Sequence, residues 1–264
     1  MITIKDFDAQ KVKFRGSSVH KIMTEPRGAG ITKKQLETIA DFEAREKLTE
    51  KQQAELERLR AKRDEPPRLS DTCEGYLWQL LDEELYGIRE EIVGKEIDKG
   101  NLCEQDVIGL ASEVLDLGFL AKNETRFTSE YFTGTPDVLT DGVVIDVKAS
   151  WNLSTFRNAE LIPAYWWQLQ TYMHLTGFRK AILIYGLVDT PEELIYDEFR
   201  RRMYYRQIID ETSAEAMKLE DEVRRNMTFA DKIPAPNRVK AFPIDYDAEA
   251  MRSAEERVVM CRGW

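Results

Sequence analysis

Residues 134 to 150 read GTPDVLTDGVVIDVKAS, and this stretch holds the residues best suited to chemistry. Asp141-Gly142 is a strong two-residue hairpin signal. With the turn placed there, Thr140 faces Val143, Leu139 faces Val144, Val138 faces Ile145, and Asp137 faces Asp146. Directly opposed residues point to one face of the sheet, and Lys148, two positions past Asp146, shares that face. Val143, Ile145 and Val147 point to the other. Two carboxylates and an ammonium therefore meet on an otherwise apolar sheet. Opposed like charges are destabilising, and a bridging cation relieves them. Oxygen-only ligation suits Mg²⁺ or Mn²⁺, and a neighbouring lysine suits positioning a water or stabilising charge on a phosphate. The chemistry this set would carry is hydrolysis of a phosphodiester. Taken alone, the hairpin also admits a plainer reading, a surface Asp–Lys cross-strand pair. The strand VVIDVK is apolar on both sides of its aspartate, which is unusual for a solvated face.

The elements that must position these residues follow from periodicity. Residues 32 to 63 are polar, with Leu36, Ile39, Phe42, Leu48, Leu56 and Leu59 at helical spacing. They predict an αα-hairpin or a bent helix, broken near Lys47-Leu48-Thr49, with Thr49 as a cap and Pro66-Pro67 as a stop. A helix begins at Ser70 or Asp71 and ends at Gly87. Another runs from about Leu102 to Leu117, closed by Gly118. Strands are expected over Glu124–Phe132, Tyr131–Leu139 and Val143–Ala149, then a helix carrying AYWWQLQTYMHL, then a buried strand over residues 180 to 188. A charged helical stretch from Pro191 to about Arg225, an edge strand over Val239–Tyr246 and a helix from about Ala248 complete the chain. The order indicates an α/β fold with helices on both faces of a sheet and helical additions at each end.

Composition bounds the rest. The 264 residues are 42% hydrophobic, enough for one substantial core. No apolar run approaches a membrane span, and the first residues lack a signal-peptide pattern, so a cytoplasmic protein is expected. Three cysteines, Cys73, Cys103 and Cys261, form neither a zinc pair nor a disulfide framework and read as reduced thiols, too few for an iron–sulfur cluster. The net charge of −10 argues against nucleic acid only weakly, because binding depends on where the cations sit. Basic groups cluster at Arg58–Arg63, Arg200–Arg202 and Arg224–Arg225.

The hairpin resembles the PD-(D/E)XK nuclease signature, and three further segments resemble the same superfamily in the same order. Gly100-Asn-Leu-Cys-Glu104 is similar to the G-x-x-x-E helix motif of RecB-like and phage lambda-type exonucleases (the YqaJ-like group). In AYWWQLQTYMHL, Gln168 and Tyr172 match Q-x-x-x-Y, and Gln170 matches the alternative glutamine of the lambda type. Ser17 to Gly28 resembles the early helix of lambda-type enzymes, where a serine contributes to a 5′-phosphate pocket. The resemblance covers residues 15 to 188 in patches. It implies a restriction-endonuclease-like fold in one nuclease domain, with a core of about 70–190, a helical insertion at about 32–64 and an extension over about 191–264. It implies Mg²⁺ or Mn²⁺ at Glu104, Asp137, Asp146 and Val147, with Lys148 orienting water and Gln168 steadying it. DNA contact falls to Ser17, Arg27, Trp151, Gln170 and Tyr172. The implied activity is DNA exonuclease in phage-type recombination or repair, as a ring-shaped trimer working beside a single-strand annealing protein. An endonuclease of the same fold and a non-catalytic DNA-binding protein are the alternatives. Two departures stand out. Asp146 replaces the glutamate of lambda-type enzymes, and the arginine they place ahead of the serine has no match, position 10 being Gln; Lys11, Lys13 or Arg15 could substitute. Each residue also has an ordinary use. Glu104 suits a helix N-terminus, Ser17 or Ser18 an N-cap, Trp166 and Trp167 the core, His20 and His174 packing, and Arg200–Arg202 a solvated face.

Overall fold

The computed structural model describes residues 8–26, 31–65, 68–90 and 94–264. Two sheets organise them. The larger has the order β4(Val138–Thr140), β5(Val143–Ala149), β6(Lys180–Gly186), β7(Val239–Asp245). β4 and β5 form the expected hairpin, with Val138 opposite Ile145, Leu139 opposite Val144 and Thr140 opposite Val143. Its turn needs two residues with positive φ, and Asp141 (43°) and Gly142 (77°) supply them. β6 runs parallel to β5, and β7 closes the sheet antiparallel along an edge that admits Pro243.

The two faces of this sheet are covered by different helices. α5(Lys95–Leu115) packs Cys103, Val107, Ile108 and Ala111 against Val138, Ile145, Val147 and Ile184. α7(Pro163–Thr176) packs Leu169, Tyr172 and Met173 against Val144, Ala181 and Leu183. Each fully buried aliphatic side chain here contributes about 1.5–3 kcal/mol. The parallel β5–β6 pair needs a crossover, made by α7 preceded by a short α6(Leu153–Arg157). The helix carrying AYWWQLQTYMHL is thus laid across the face that bears Asp146.

A smaller sheet has the order β1(Phe14–Arg15), β3(Phe132–Gly134), β2(Phe127–Thr128). Beside it α1(Val19–Ile22), α4(Asp71–Tyr86) and α10(Ala248–Arg262) share a core with Phe14 and Phe132. α4 keeps the expected ends: Ser70 accepts from the Cys73 N–H, and Gly87 leaves the helix at φ 68°. α2(Lys33–Glu43) and α3(Glu50–Arg63) form a hairpin around Ile39, Leu56 and Leu59, with capping boxes at Thr32 and Thr49. α8(Glu192–Arg206) and α9(Ala214–Met227) pack together.

Several expectations are corrected. The strand expected over Glu124–Phe132 survives only as Phe127–Thr128. The one expected over Tyr131–Leu139 divides at Thr135-Pro136-Asp137 into β3 and β4, which lie in different sheets. The charged stretch after Pro191 is two helices, because Gln207 adopts the left-handed conformation at φ 59°. The helix expected from Leu102 begins a full two turns earlier at Lys95, placing Glu104 in its interior, so the N-terminal dipole does not account for that carboxylate. The reading of the cysteines as reduced thiols stands: Cys73, Cys103 and Cys261 are free and buried, and the sulfurs of Cys73 and Cys261 lie 3.5 Å apart in the α4–α10 contact. The Pro66-Pro67 stop lies outside the described residues.

Candidate active site

The end of β5 sits where both helices can reach it. Asp146 is fully buried, and its carboxylate points to the α7 face. Gln168 Nε2 donates to Asp146 Oδ1 at 2.9 Å and to the Tyr172 hydroxyl at 3.0 Å. Lys148 Nζ lies 2.6 Å from Asp146 Oδ2. Asp137 Oδ2 accepts the Val147 N–H at 2.8 Å, which pins this carboxylate across the open end of the hairpin. The Val147 side chain packs toward α5, so only its main chain belongs to the site. Glu104, from the middle of α5, is held by Lys122 at 3.0 Å. All these residues except Asp146, Tyr172 and Lys122 line a cavity of about 860 Å³.

The electrostatics follow from crowding these charges. Burial, and then the Asp146 charge, push Asp137 up to about 7, with Lys148 and the Val147 N–H opposing. Burial works against the Lys148 charge, but Asp146 and Asp137 outweigh it and hold the ammonium above the ordinary lysine range. Burial beside Asp146 raises the Tyr172 phenol as well.

Two carboxylate oxygens, Glu104 Oε1 and Asp146 Oδ2, are buried without a hydrogen-bond donor. The Lys148 contact to Oδ2 is close but is not an aligned hydrogen bond, so the attraction is one of charge. Unsatisfied buried acceptors are rare and costly. Among the described residues no three His, Cys, Asp or Glu side chains are grouped closely enough to hold a metal ion as they stand; Lys122 contacts Glu104 and Lys148 contacts Asp146. The donor chemistry fits a hard divalent cation: three carboxylates, two of them with an orphaned oxygen, and no sulfur or imidazole.

Other expected residues fall differently. Gln170 is fully buried and turned away; it donates to Asp245 O and accepts from the Asp247 N–H, stitching β7 to α7. Of the two glutamines, only Gln168 reaches the site. Tyr172 touches Gln168 and the backbone instead of open space. A Cβ on Gly134 would lie 2.5 Å from its ring, and one on Gly16 2.8 Å, so both positions must be glycine for the ring to fit. Trp151 lines the cavity but is only 9% exposed, its ring packed among Leu194, Ile195 and Phe199 with Lys95 Nζ 4.8 Å above it. Most of the ring is therefore used in packing, and only its edge is left to the cavity. Ser17 is exposed, and Ser18, at the N-cap of α1, makes no side-chain cap bond. Arg27 lies outside the described residues. His174 packs as expected, against Tyr246 and Glu255.

Sequence reasoning missed Lys122, His20, Arg89 and Tyr165. Tyr165 had a signal, since residues 165, 168 and 172 fall on one helical face. His20 lines the cavity from within the Ser17–Gly28 segment already singled out, whereas Arg89, in the loop after α4, had none. A second cavity, about 510 Å³, adjoins the first and shares Ser17, Arg89, Ile97 and Asn101 with it. Arg15, Ser18, Lys21 and Tyr76 line its far side.

Known structures supply a comparison. The chain resembles the crystal structure of a phage related exonuclease from Haemophilus somnus 129PT, with a TM-score of 0.65 and 23% identity over 96% of this chain and 93% of that one. It also resembles an alkaline exonuclease, LHK-Exo, from Laribacter hongkongensis, with a TM-score of 0.52 and 15% identity over 99% of this chain and 91% of that one. The complex of LHK-Exo with dAMP gives a TM-score of 0.52 at 16% identity. No protein-family model and no curated protein matches the sequence. The fold is therefore the restriction-endonuclease-like α/β fold of these exonucleases, as the motifs implied. No helix among the described residues is long and apolar enough to cross a membrane.

Proposed function

We propose that this protein is a Mg²⁺- or Mn²⁺-dependent DNA exonuclease. The observation that carries the reading is the meeting of Asp146, Asp137, Lys148 and Gln168 along the second half of β5, beside a cavity that Glu104 also lines. Glu104, Asp137, Asp146 and the Val147 main chain would hold the ion, which when bound supplies Lewis-acid chemistry to phosphodiester hydrolysis. Lys148 places a fixed positive charge beside the reacting phosphate and orients the attacking water. Gln168 keeps the Asp146 carboxylate at one angle, and Tyr172, clamped between Gly16 and Gly134, keeps Gln168 in place. The exonuclease names of the structural neighbours support the same reading.

The adjoining cavity favours action from an end. Its cations, Arg15, Lys21 and Arg89, line it with Ser17 and Ser18 beside the carboxylates of Glu83, Glu90 and Asp98, and on this reading they would take a terminal phosphate. Of Lys11, Lys13 and Arg15, the candidates for the arginine that position 10 lacks, Arg15 is the one that lines this cavity. Its guanidinium is held by Glu83, and Tyr76 accepts its backbone N–H. Work in phage-type recombination or repair, a trimeric state and a strand-annealing partner belong to the same proposal.

End-labelled linear duplex and covalently closed circles, incubated with Mg²⁺ or Mn²⁺, test it. Linear DNA should be degraded, circles spared, and EDTA should stop the reaction. Rapid linearisation of supercoiled plasmid would instead point to an endonuclease, and no cleavage of either to a dormant site.

A further inference from the structure

Lys148 has two neighbours that attract a cation. Its Nζ lies 2.6 Å from Asp146 Oδ2 and 5.1 Å from the centre of the Tyr165 ring. The carboxylate oxygen it touches is one of the two left without an aligned donor, and so is one that a metal ion would take. A lysine that stayed on that oxygen would compete with the ion. One released into water would no longer act on the phosphate.

The ring of Tyr165 faces the ammonium at the same position that Asp146 touches, and it is built to stay in place. Tyr165 stands in the first turn of α7 behind Pro163, three residues ahead of Gln168, so both side chains leave the same helical face. Its ring meets Tyr185 edge-on, with centres 6.2 Å apart and planes at 72°. Tyr185 lies directly opposite Lys148 in the β5–β6 register, and its hydroxyl is tied to Glu160 O at 2.9 Å. Phe242 on β7 supports Tyr185 in turn, at 6.0 Å and 82°. Tyr165 and Tyr185 both face the cavity that Glu104 and Asp137 line. An aromatic wall thus runs from the sheet edge to the lysine.

We propose that Tyr165 is a positioning residue whose ring holds the Lys148 ammonium in the cavity when Asp146 turns to a metal ion. The proposal rests on the metal-dependent reading of the site. A cation over an aromatic ring in a partly dehydrated setting shifts such a balance by a factor of roughly 5 to 30. A purely structural Tyr165 would alter stability without regard to Lys148.

The test is a double-mutant cycle on the full chain, read by Mn²⁺ binding in the absence of DNA and by kinetics on linear duplex. Tyr165→Leu should weaken Mn²⁺ binding about tenfold, because Lys148 then stays on Asp146. Tyr165→Phe, which keeps the ring, should restore most of that loss. Lys148→Met should tighten Mn²⁺ binding, and adding Tyr165→Leu to it should change nothing further. In kinetics Tyr165→Leu should lower kcat and leave KM near the wild-type value. A metal-free melt checks folding, and Tyr165→Met takes the place of leucine if the latter fails to fold. Equal weakening by Tyr165→Leu with and without Lys148, or no weakening at all, would overturn the proposal while leaving the metal site standing. A wild type that binds no Mn²⁺ would overturn the metal reading and this proposal with it.

Discussion

Two lysines near the ends of the parallel strands show how partners decide what a buried cation is for. Lys99 on α5 is fully buried and donates to main-chain carbonyls, Val188 O at 2.9 Å and Trp151 O at 3.3 Å, with the Phe229 ring 5.2 Å away. Burial pushes it down to about 8, because Cys103 and Asp189 only partly compensate. Lys148 keeps a quarter of its side chain open to water and sits against carboxylates, which hold it above the ordinary lysine range. Neutral carbonyl dipoles make Lys99 a staple joining α5 to the segments that follow β5 and β6. Charged partners keep Lys148 ionised at every working pH, which suits chemistry on a phosphate. Burial is common to both residues; the charge of the partners sets the sign.

The largest expected effect falls on the carboxylate side of this contrast. Lys148→Ala and Asp146→Asn should each lower DNA hydrolysis by ~10³-fold or more while the fold persists, measured on end-labelled duplex beside a circular-dichroism melt. Undiminished cleavage by either purified variant would remove the catalytic assignment.

Lys99→Met comes next and should act on stability. The folded value of Lys99, about 8, lies below the unfolded one, so the unfolded chain binds the extra proton between them. Wild-type stability therefore gains as pH rises from about 8 to 10.5, and the methionine variant lacks this gain. The difference between the two melts should change by ~2–3 kcal/mol across that window. A difference curve flat in pH would mean that Lys99 is not the buried cation described.

Asp137 tests the opposite sign. Its folded value of about 7 exceeds the unfolded value near 4, so the native state holds the extra proton in that range. Metal-free stability should fall as pH rises from about 4 to about 7, and the penalty should be complete above 7. Asp137→Asn removes it and keeps an acceptor for the Val147 N–H. With part of the carboxyl still facing water, the gain at pH 8 should be ~1–2 kcal/mol. The same variant should lose most of the melting-temperature rise that Mn²⁺ produces in the wild type. A surface Asp–Lys pair would give a less stable variant and no response to metal.

The smallest effect separates the two glutamines on the same principle. Gln170 joins neutral backbone groups of Asp245 and Asp247, whereas Gln168 serves a carboxylate. Gln170→Ala should cost about 1–2 kcal/mol in a chemical melt and leave the rate per folded molecule within about twofold. A greater loss of rate than for Gln168→Ala would reverse the assignment of the two.

Much of the site was legible in the sequence because it depends on short-range rules. Asp141-Gly142 determined the hairpin register, and the period of two placed Asp146 and Lys148 on one face and Ile145 and Val147 on the other. Ser70, Thr49 and Gly87 marked helix ends because capping is satisfied within a few residues. The tertiary structure decided the rest. Propensity alone ran residues 124 to 139 into long strands, whereas pairing with β1 on one side and β5 on the other cut them into pieces of two separate sheets. Only the packing of α7 on β5 chose Gln168 over Gln170, since one turns toward Asp146 and the other toward β7. Lys122 and Arg89 reached the site through contacts across many residues of chain, which leave no local period to read. Turn chemistry and alternation are properties of neighbours in sequence. A charge balance such as that at Lys148 belongs to neighbours in space, and only the folded chain sets it.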